Sequence, residues 1–360
     1  MRNRKPKAAF YDPYMETLGG GEQYMVSVMK TLEDEGYDIT LFWKEDIQKK
    51  IHQKFGITFR NLHIDTSGFH GGTSALSRWW HLGNYEVFFY ITDGSYFFSG
   101  ARHNYLYAMV PRRDLYTSKG INALKTRGWR VIANSHFTAS HLRRWGMDPR
   151  VHYPLLSERL LYTKPVRKEK IILSVGRFFR HLHKKNHEEV IYTFNRLQEY
   201  KAFKDYKLIL AGGLRSEDKE YFDTVKKLAK SNHSIELRPN ISHDELYLLY
   251  EHSMFYWHFA GLGVNEREHP EQVEHLGITP LEAMAAGCVV FCFKAGGPRE
   301  IIEQGKNGFL FTSEDELVQL MRTINQHDVK DISKYAQSYV KAHFSLPVFK
   351  TELQKLLKWT

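Results

Sequence analysis

The 360 residues carry 51 Lys and Arg against 41 Asp and Glu, a formal net charge of +10, with 42% hydrophobic and 26% charged residues. That balance excludes a disordered chain, and the length is too great for one ordinary core and about right for two domains. The two cysteines, Cys288 and Cys292, fall in one apolar run, Cys-Val-Val-Phe-Cys-Phe, which predicts buried reduced thiols and excludes a disulfide framework.

The N-terminus, Met-Arg-Asn-Arg-Lys-Pro-Lys, is basic, but the apolar stretch behind it is too short for a signal peptide. No run approaches the roughly 18 apolar residues of a membrane span. A cytoplasmic protein is expected, peripheral at most at the inner face of a membrane. The first half reads as strands alternating with helices, the sign of a parallel sheet covered on both faces. Lys7 to Tyr11 is a strand, Gly19-Gly20-Gly21 a loop, and a helix follows from about Glu22 to Glu35. Strand, glycine loop and helix start make an anion cradle, although Gly-x-Gly-x-x-Gly is absent and a plain flexible loop fits equally well.

Further strands are predicted at Asp38 to Trp43, Leu62 to Ile64, Val87 to Ile91, Tyr105 to Met109 and Arg130 to Ala133. Ligands of such sheets gather beyond the carboxyl ends of the strands, which singles out the loops holding Asp93, Arg112 and His136. Between Arg102 and Arg150 ten basic residues stand against two acids, Asp114 and Asp148. The surplus suits a solvated face, an anionic lipid surface or a phosphorylated acceptor; nucleic acid is the least favoured partner.

A polar linker is expected at residues 158–170, between an N-terminal domain of residues 1–157 and a second alternating domain of residues 171–340. Ile171 to Val175 opens that domain, Gly176-Arg177 follows, and Lys185-Asn186 precedes a helix from about His187 to Tyr200. Arg177 and Lys185 on a loop at a strand end suit a diphosphate: Arg grips two oxygens, and Lys is a compact charge. Taken singly, each is an ordinary surface residue of a basic chain. His181 and His183 lack a third ligand and read as loop histidines, so no metal is expected. Strands follow at Leu208 to Leu210, Ile235 to Pro239, Phe255 to Phe259 and Val289 to Phe293, and Asn307-Gly308 reads as a hairpin turn.

The densest signal is Glu274-His-Leu-Gly-Ile-Thr-Pro-Leu-Glu282, running on to Gly287. Thr279 is a good N-cap, Pro280 suits the first helical position and Gly287 can end a short helix. The first amides of that helix would attract an anion, and Gly277 has no Cβ to keep one away. Two carboxylates beside a phosphate are costly unless turned to hydroxyls, which points to a nucleotide sugar. Thr279 and Glu282 equally match a capping box, and Glu274 a solvated loop acid.

This string, Glu-x7-Glu with Gly-Ile-x-Pro-Leu-Glu-Ala-Met-Ala-x-Gly, resembles the retaining glycosyltransferases of family 4. The resemblance implies an α/β fold of GT-B architecture, two doubly wound Rossmann-like domains facing a central cleft, with a C-terminal helix at residues 341–360 crossing back to the first domain. It implies that Glu274 meets the donor sugar, Glu282 the ribose and the backbone at Gly277 and Ile278 the diphosphate, with Thr279 also on the donor side, and Arg177 and Lys185 the leaving group. Gly20 and Gly21 would line the donor from the N-terminal domain. Many members carry a histidine where this chain has Met109; methionine donates no hydrogen bond, so the sugar contact would fall to another group such as His103 or His136. The longer spacing between Arg177 and Lys185 is a second departure.

No Asp-x-Asp occurs in the chain. Metal independence is therefore expected, and together with the resemblance the reading is a retaining hexosyltransferase, with no cofactor besides its nucleotide-diphosphate-sugar donor, acting on a glycan or lipid-linked acceptor. The alternatives are a sugar-nucleotide epimerase or hydrolase on the same fold, which needs no acceptor, and a non-catalytic polyanion-binding protein.

Overall fold

The structure is a computed structural model describing residues 5–66, 69, 73–116, 120–180 and 184–358. Residues 1–4, Lys119, His181 and His183 lie outside the described residues. The chain divides into two compact units, residues 1–155 with 349–360, and residues 156–348.

The first unit is built on strands β1 (Lys7–Tyr11), β2 (Asp38–Phe42), β3 (Leu62–Asp65), β4 (Val87–Ile91), β5 (His103–Ala108), β6 (Arg130–Ala133) and β7 (Pro149–Val151). All pair in parallel, in the order β3-β2-β1-β4-β5-β6-β7. Central strands buried on both faces must be apolar throughout, and β4, Val-Phe-Phe-Tyr-Ile, is buried at every position. The sequence reading has no strand at β7, a three-residue edge that opens on proline, where no amide is needed.

One face of this sheet carries Val28 and Leu32 of the helix Gly20–Asp34 and Ile51 of Gln48–Phe55. Phe349, Leu353 and Leu356 of the last helix, Leu346–Leu357, complete that core. The other face is covered by Phe69, Leu82, Tyr85, Phe97, Tyr116 and Leu142.

The second unit holds β8 (Glu169–Val175), β9 (Lys207–Gly212), β10 (Ile235–Pro239), β11 (Ser253–His258), β12 (Val289–Phe293) and β13 (Phe309–Phe311), parallel in the order β10-β9-β8-β11-β12-β13. Asn307-Gly308 is therefore not a hairpin: β13 runs parallel to β12, and the Asn307 side chain binds the Ile301 carbonyl at 3.0 Å and the Glu303 amide at 2.7 Å. Residues 158–170 lie within this unit, where Leu160 is buried and the Lys168 amine donates to the carbonyls of Ala286 at 2.7 Å and Tyr250 at 3.1 Å. Cys288 and Cys292 are buried free thiols.

Both sheets are thus doubly wound, and each reverses its direction of growth once: between β1 and β4 in the first unit, between β8 and β11 in the second. Such reversals leave a crevice at the carboxyl ends of the strands. No helix among the described residues is long and apolar enough to cross a membrane.

Candidate functional site

At the reversal in the second unit, Gly176-Arg177 follows β8 directly and His258 is the last residue of β11. Asn186, in the left-handed conformation at φ 53°, donates its side-chain amide to the Phe259 carbonyl at 2.8 Å and so ties the loop before the helix His187–Gln198 to the end of β11. Lys185, one residue earlier, lays its stem over Gly176, where a Cβ would stand 2.2 Å from Lys185 Cγ. Lys185 and Arg177 therefore share one strand end. The exposed Arg177 guanidinium lies 5.0 Å from the Phe179 ring centre.

Lys185 Nζ is 2.6 Å from Glu274 Oε2, and the same oxygen lies 2.9 Å from His258 Nε2. The His258 side chain is only 1% exposed. Burial and the neighbouring Lys185 charge push its pKa down, so it sits as neutral imidazole, and the hydrogen bond assigns the proton to Nε2. Burial alone would raise the Glu274 carboxyl. Lys185 and the bond from His258 more than offset that and hold it well below the usual carboxylate range. The backbone of Glu274 is fixed as well, its carbonyl accepting from the Gly297 amide at 2.8 Å.

The short helix runs Ile278–Ala285, and its N-cap is Gly277, not Thr279. At φ 103° Gly277 turns the chain into the helix, which places Pro280 at the third helical position rather than the first. The Leu281 amide donates to the Gly277 carbonyl at 3.1 Å, so the amides of Ile278 and Thr279 precede the ladder. The capping box does not form because both of its side chains are engaged elsewhere. Thr279 Oγ1 accepts from the Tyr256 hydroxyl at 2.8 Å, and Glu282 Oε2 from the Tyr250 hydroxyl at 3.0 Å. Burial lifts the Glu282 carboxyl to about 7. Gly287, at φ 82°, ends the helix as the sequence predicts.

Glu274 and Glu282 belong to one connected group. Tyr250 and Tyr256 lie 6.0 Å apart by ring centres, Tyr256 stacks 6.2 Å from His258, and His258 holds Glu274. The sequence reading does not single out His258, Tyr250 or Tyr256. The available signal was a histidine closing an otherwise apolar buried strand, Ser-Met-Phe-Tyr-Trp-His, where an unpaired imidazole would be costly.

In the first unit, Gly20 and Gly21 open the helix Gly20–Asp34, and Glu22 accepts the Gly19 amide and the Thr17 hydroxyl. A Cβ on Gly21 would lie 2.0 Å from Met109 Sδ, so a larger residue here would push the end of that flexible side chain aside. Met109 thus packs on the glycine helix start, directly after β5. His103 does not share that end: it pairs with Val87 at the beginning of β5 and contacts Arg130 at 3.1 Å. Six residues of strand, about 20 Å, separate it from Met109, which corrects the expectation that His103 replaces the missing contact. His136 does follow the carboxyl end of β6, opening the helix His136–Arg144, with its ring 6.2 Å from Tyr153. Asp93 binds its own turn, accepting from the Ser95 amide at 2.9 Å and the Ser95 hydroxyl at 2.6 Å. Arg112 forms a two-pronged pair with Asp114 at 2.8 Å for each bond.

Among the described residues no three His, Cys, Asp or Glu side chains converge as metal ligands. Residues 163–339, which contain the whole second-unit cluster, match the family model of glycosyl transferases group 1. The matches support a glycosyltransferase family.

The chain is 31% identical over 204 residues to the mouse GDP-Man:Man(3)GlcNAc(2)-PP-Dol alpha-1,2-mannosyltransferase, covering 51% of this chain and 39% of the relative. It is 25% identical over 262 residues to an alpha-1,3/1,6-mannosyltransferase of Rhizomucor pusillus, covering 63% of this chain and 57% of the relative. It thus spans about half the length of these two relatives. Among solved structures, a glycosyltransferase from Rickettsia africae ESF-5 matches with TM-score 0.73 at 17% identity, over 99% of this chain and 98% of the other. Anabaena Alr3699/HepE in complex with UDP and glucose matches with TM-score 0.71 at 17% identity, over 98% of this chain and 99% of the other. The fold is that of GT-B glycosyltransferases, two parallel-sheet Rossmann-like domains.

Proposed function

We propose that this chain is a retaining glycosyltransferase of family 4 that moves a hexose of the mannose or glucose type from a nucleotide-diphosphate sugar to a hydroxyl of a glycan or lipid-linked glycan. The observation that carries the proposal is the meeting of Lys185, His258 and Glu274 on one carboxylate oxygen, in the same connected group as Thr279 and Glu282 at the start of the helix Ile278–Ala285. The mannosyltransferase names of the two curated relatives support the hexose class.

In this proposal the ammonium of Lys185, held by Glu274 in the free protein, turns to the arriving diphosphate. Arg177 and the amides of Ile278 and Thr279 take the rest of the charge that builds on the leaving phosphate. Each such donor is worth roughly a hundredfold or more in rate. Glu274, relieved of the cation, accepts from sugar hydroxyls while His258 keeps its orientation. Glu282 accepts from the ribose. The departing phosphate oxygen removes the proton from the acceptor hydroxyl, so the new glycosidic bond forms on the face the leaving group vacates. These groups do the work a divalent ion would otherwise do.

The test is a panel of UDP-, GDP- and ADP-sugars with and without glycan and lipid-linked acceptors, read as free nucleotide, with the product anomer assigned by NMR. Acceptor-dependent release with retained configuration, undiminished by a chelator, is the expected outcome. Release that ignores the acceptor would assign a hydrolase instead, and an inverted product would reject the mechanism.

A further inference from the structure

The helix Ala75–Leu82 of the first unit is oriented against the usual rule. Its core side carries Leu82, which is buried, His81, whose ring lies 5.7 Å from that of Phe42, and Arg78, whose guanidinium lies 5.4 Å from the Phe69 ring centre and 5.3 Å from that of Phe97. The apolar stripe at i, i+3 and i+4 faces solvent: Leu76 is 75% exposed, Trp79 47% and Trp80 73%. Two tryptophans on the outer side of one short helix are not scattered surface residues.

A second helix on the same sheet face repeats the pattern. Ile121–Lys125 buries none of its residues, and Ile121 and Leu124 are 58% and 55% exposed. Behind it lies a cavity of about 370 Å³ lined by Ala123, Thr126, Leu106 and Trp129. Filling the core is therefore not why this helix is apolar, since its two large side chains turn outward. Phe97 contacts Arg78 of the first helix and Trp129, which follows the second, with ring centres 5.7 Å apart in the latter pair.

Arginines outnumber the acids around these helices, and several of them are unpaired. Arg113, Arg127 and Arg144 are exposed and make no ion pair among the described residues, and each sits on or beside an element covering this same face. The nearby acids are Asp114 and Glu86, facing Arg112 and Arg102, and Asp148 at the rim of the cavity. Tryptophan and leucine set among unpaired arginines match the interfacial layer of a bilayer, where indole rings sit at headgroup depth and guanidinium groups meet lipid phosphate.

We propose that this face of the first domain docks on the surface of an anionic lipid bilayer, seating Leu76, Trp79, Trp80, Ile121 and Leu124 in the interface, with Arg127 and its neighbours on the headgroups. The inference stands apart from the donor site, and its test does not read sugar transfer. The full chain is floated with vesicles of phosphatidylcholine alone and of phosphatidylcholine with phosphatidylglycerol, while tryptophan emission is recorded.

Flotation with the anionic vesicles, a blue shift on binding, and weakening by added salt are expected. Trp79→Ser with Trp80→Ser should cost about tenfold or more in vesicle affinity, and Arg127→Ala about fivefold, with both variants still folded and Trp80→Ser alone, at a side chain 73% exposed, keeping the melting temperature while weakening binding. Failure to float on anionic vesicles, or undiminished flotation of the double tryptophan variant, overturns the proposal. So does a concentration-dependent dimer that the tryptophan variant abolishes, which would assign the face to a second copy of the chain.

Discussion

Lys185 Nζ and Glu274 Oε2 stand 2.6 Å apart, although their residues are 89 positions apart in the chain. Their side chains are 13% and 18% exposed, so the pair is neither an idle surface ion pair nor sealed from a ligand. Such a pair can exchange its members for the two halves of a substrate, phosphate for the lysine and hydroxyls for the glutamate. Lys185→Met leaves Glu274 charged with only the neutral His258 beside it. Donor turnover should fall by about a hundredfold or more, mainly in kcat, with a loss of melting temperature corresponding to roughly 3 kcal/mol. A variant with full turnover would remove Lys185 from the mechanism.

In the proposed mechanism His258 acts through Glu274, which it contacts at 2.9 Å, rather than on the substrate. His258→Phe should lower kcat by about tenfold or more and raise KM, because the carboxylate is no longer held, whereas His258→Gln keeps an N–H donor and should recover most of the loss. If the glutamine variant is as impaired as the phenylalanine one while both fold, packing rather than the bond to Glu274 is what matters at this position.

Both sheets were legible in the chain because parallel strands buried on two faces leave continuous apolar runs, as at Val87 to Ile91 and Val289 to Phe293. The edge strand β7 was not, being too short and proline-led to carry a period. At the candidate site, Glu274, Glu282, Lys185 and Arg177 stand out as charges at strand ends and helix starts. His258, Tyr250 and Tyr256 do not, since a tyrosine in an apolar strand or helix reads as core until its hydroxyl is seen to reach Thr279 or Glu282. The cap was misplaced for a related reason: Thr279 and Glu282 satisfy the local rule for a capping box, and tertiary hydrogen bonds override it.

Glu282 gives the fold a pH dependence of unusual sign. Burial raises its carboxyl from the ordinary 4.5 to about 7, so between those values the folded state binds more protons than the unfolded one. Stability contributed by Glu282 is then lost as pH rises across that interval, on the order of 3 kcal/mol in all. Glu282→Gln should raise the melting temperature of the second domain at pH 8 and change it little near pH 5, while weakening nucleotide binding if the ribose is held here. Melting curves of the two proteins at the two pH values check this; a shift of equal size at both would contradict it.

The turn Gly296-Gly297 holds the loop that carries Glu274. A Cβ on Gly297 would meet Leu276 Cα at 2.3 Å and the His275 carbonyl at 2.5 Å, both backbone atoms that cannot rotate away. Gly297→Ala should destabilise the second domain by about 2 kcal/mol or more and abolish donor turnover through displacement of Glu274. Nucleotide-sugar kinetics and calorimetry on the variant would show a native melting temperature if the loop can yield.

In the first domain the opposite pH dependence is expected from His152. Its Nδ1 accepts from the Tyr24 hydroxyl at 2.8 Å and its Nε2–H donates to the Phe349 carbonyl at 3.1 Å, so the ring fastens the last helix to the helix Gly20–Asp34 as a neutral group. Burial lowers its pKa from the ordinary 6.5 to about 4. Between those values the unfolded state binds the extra proton. Stability from His152 is therefore complete above pH 6.5 and falls as the pH drops toward 4, by on the order of 3 kcal/mol. His152→Gln should lower stability at pH 7.5 but flatten the acid limb of the first domain's melting profile. Retention of the wild-type acid limb in that variant would place the titration on another group.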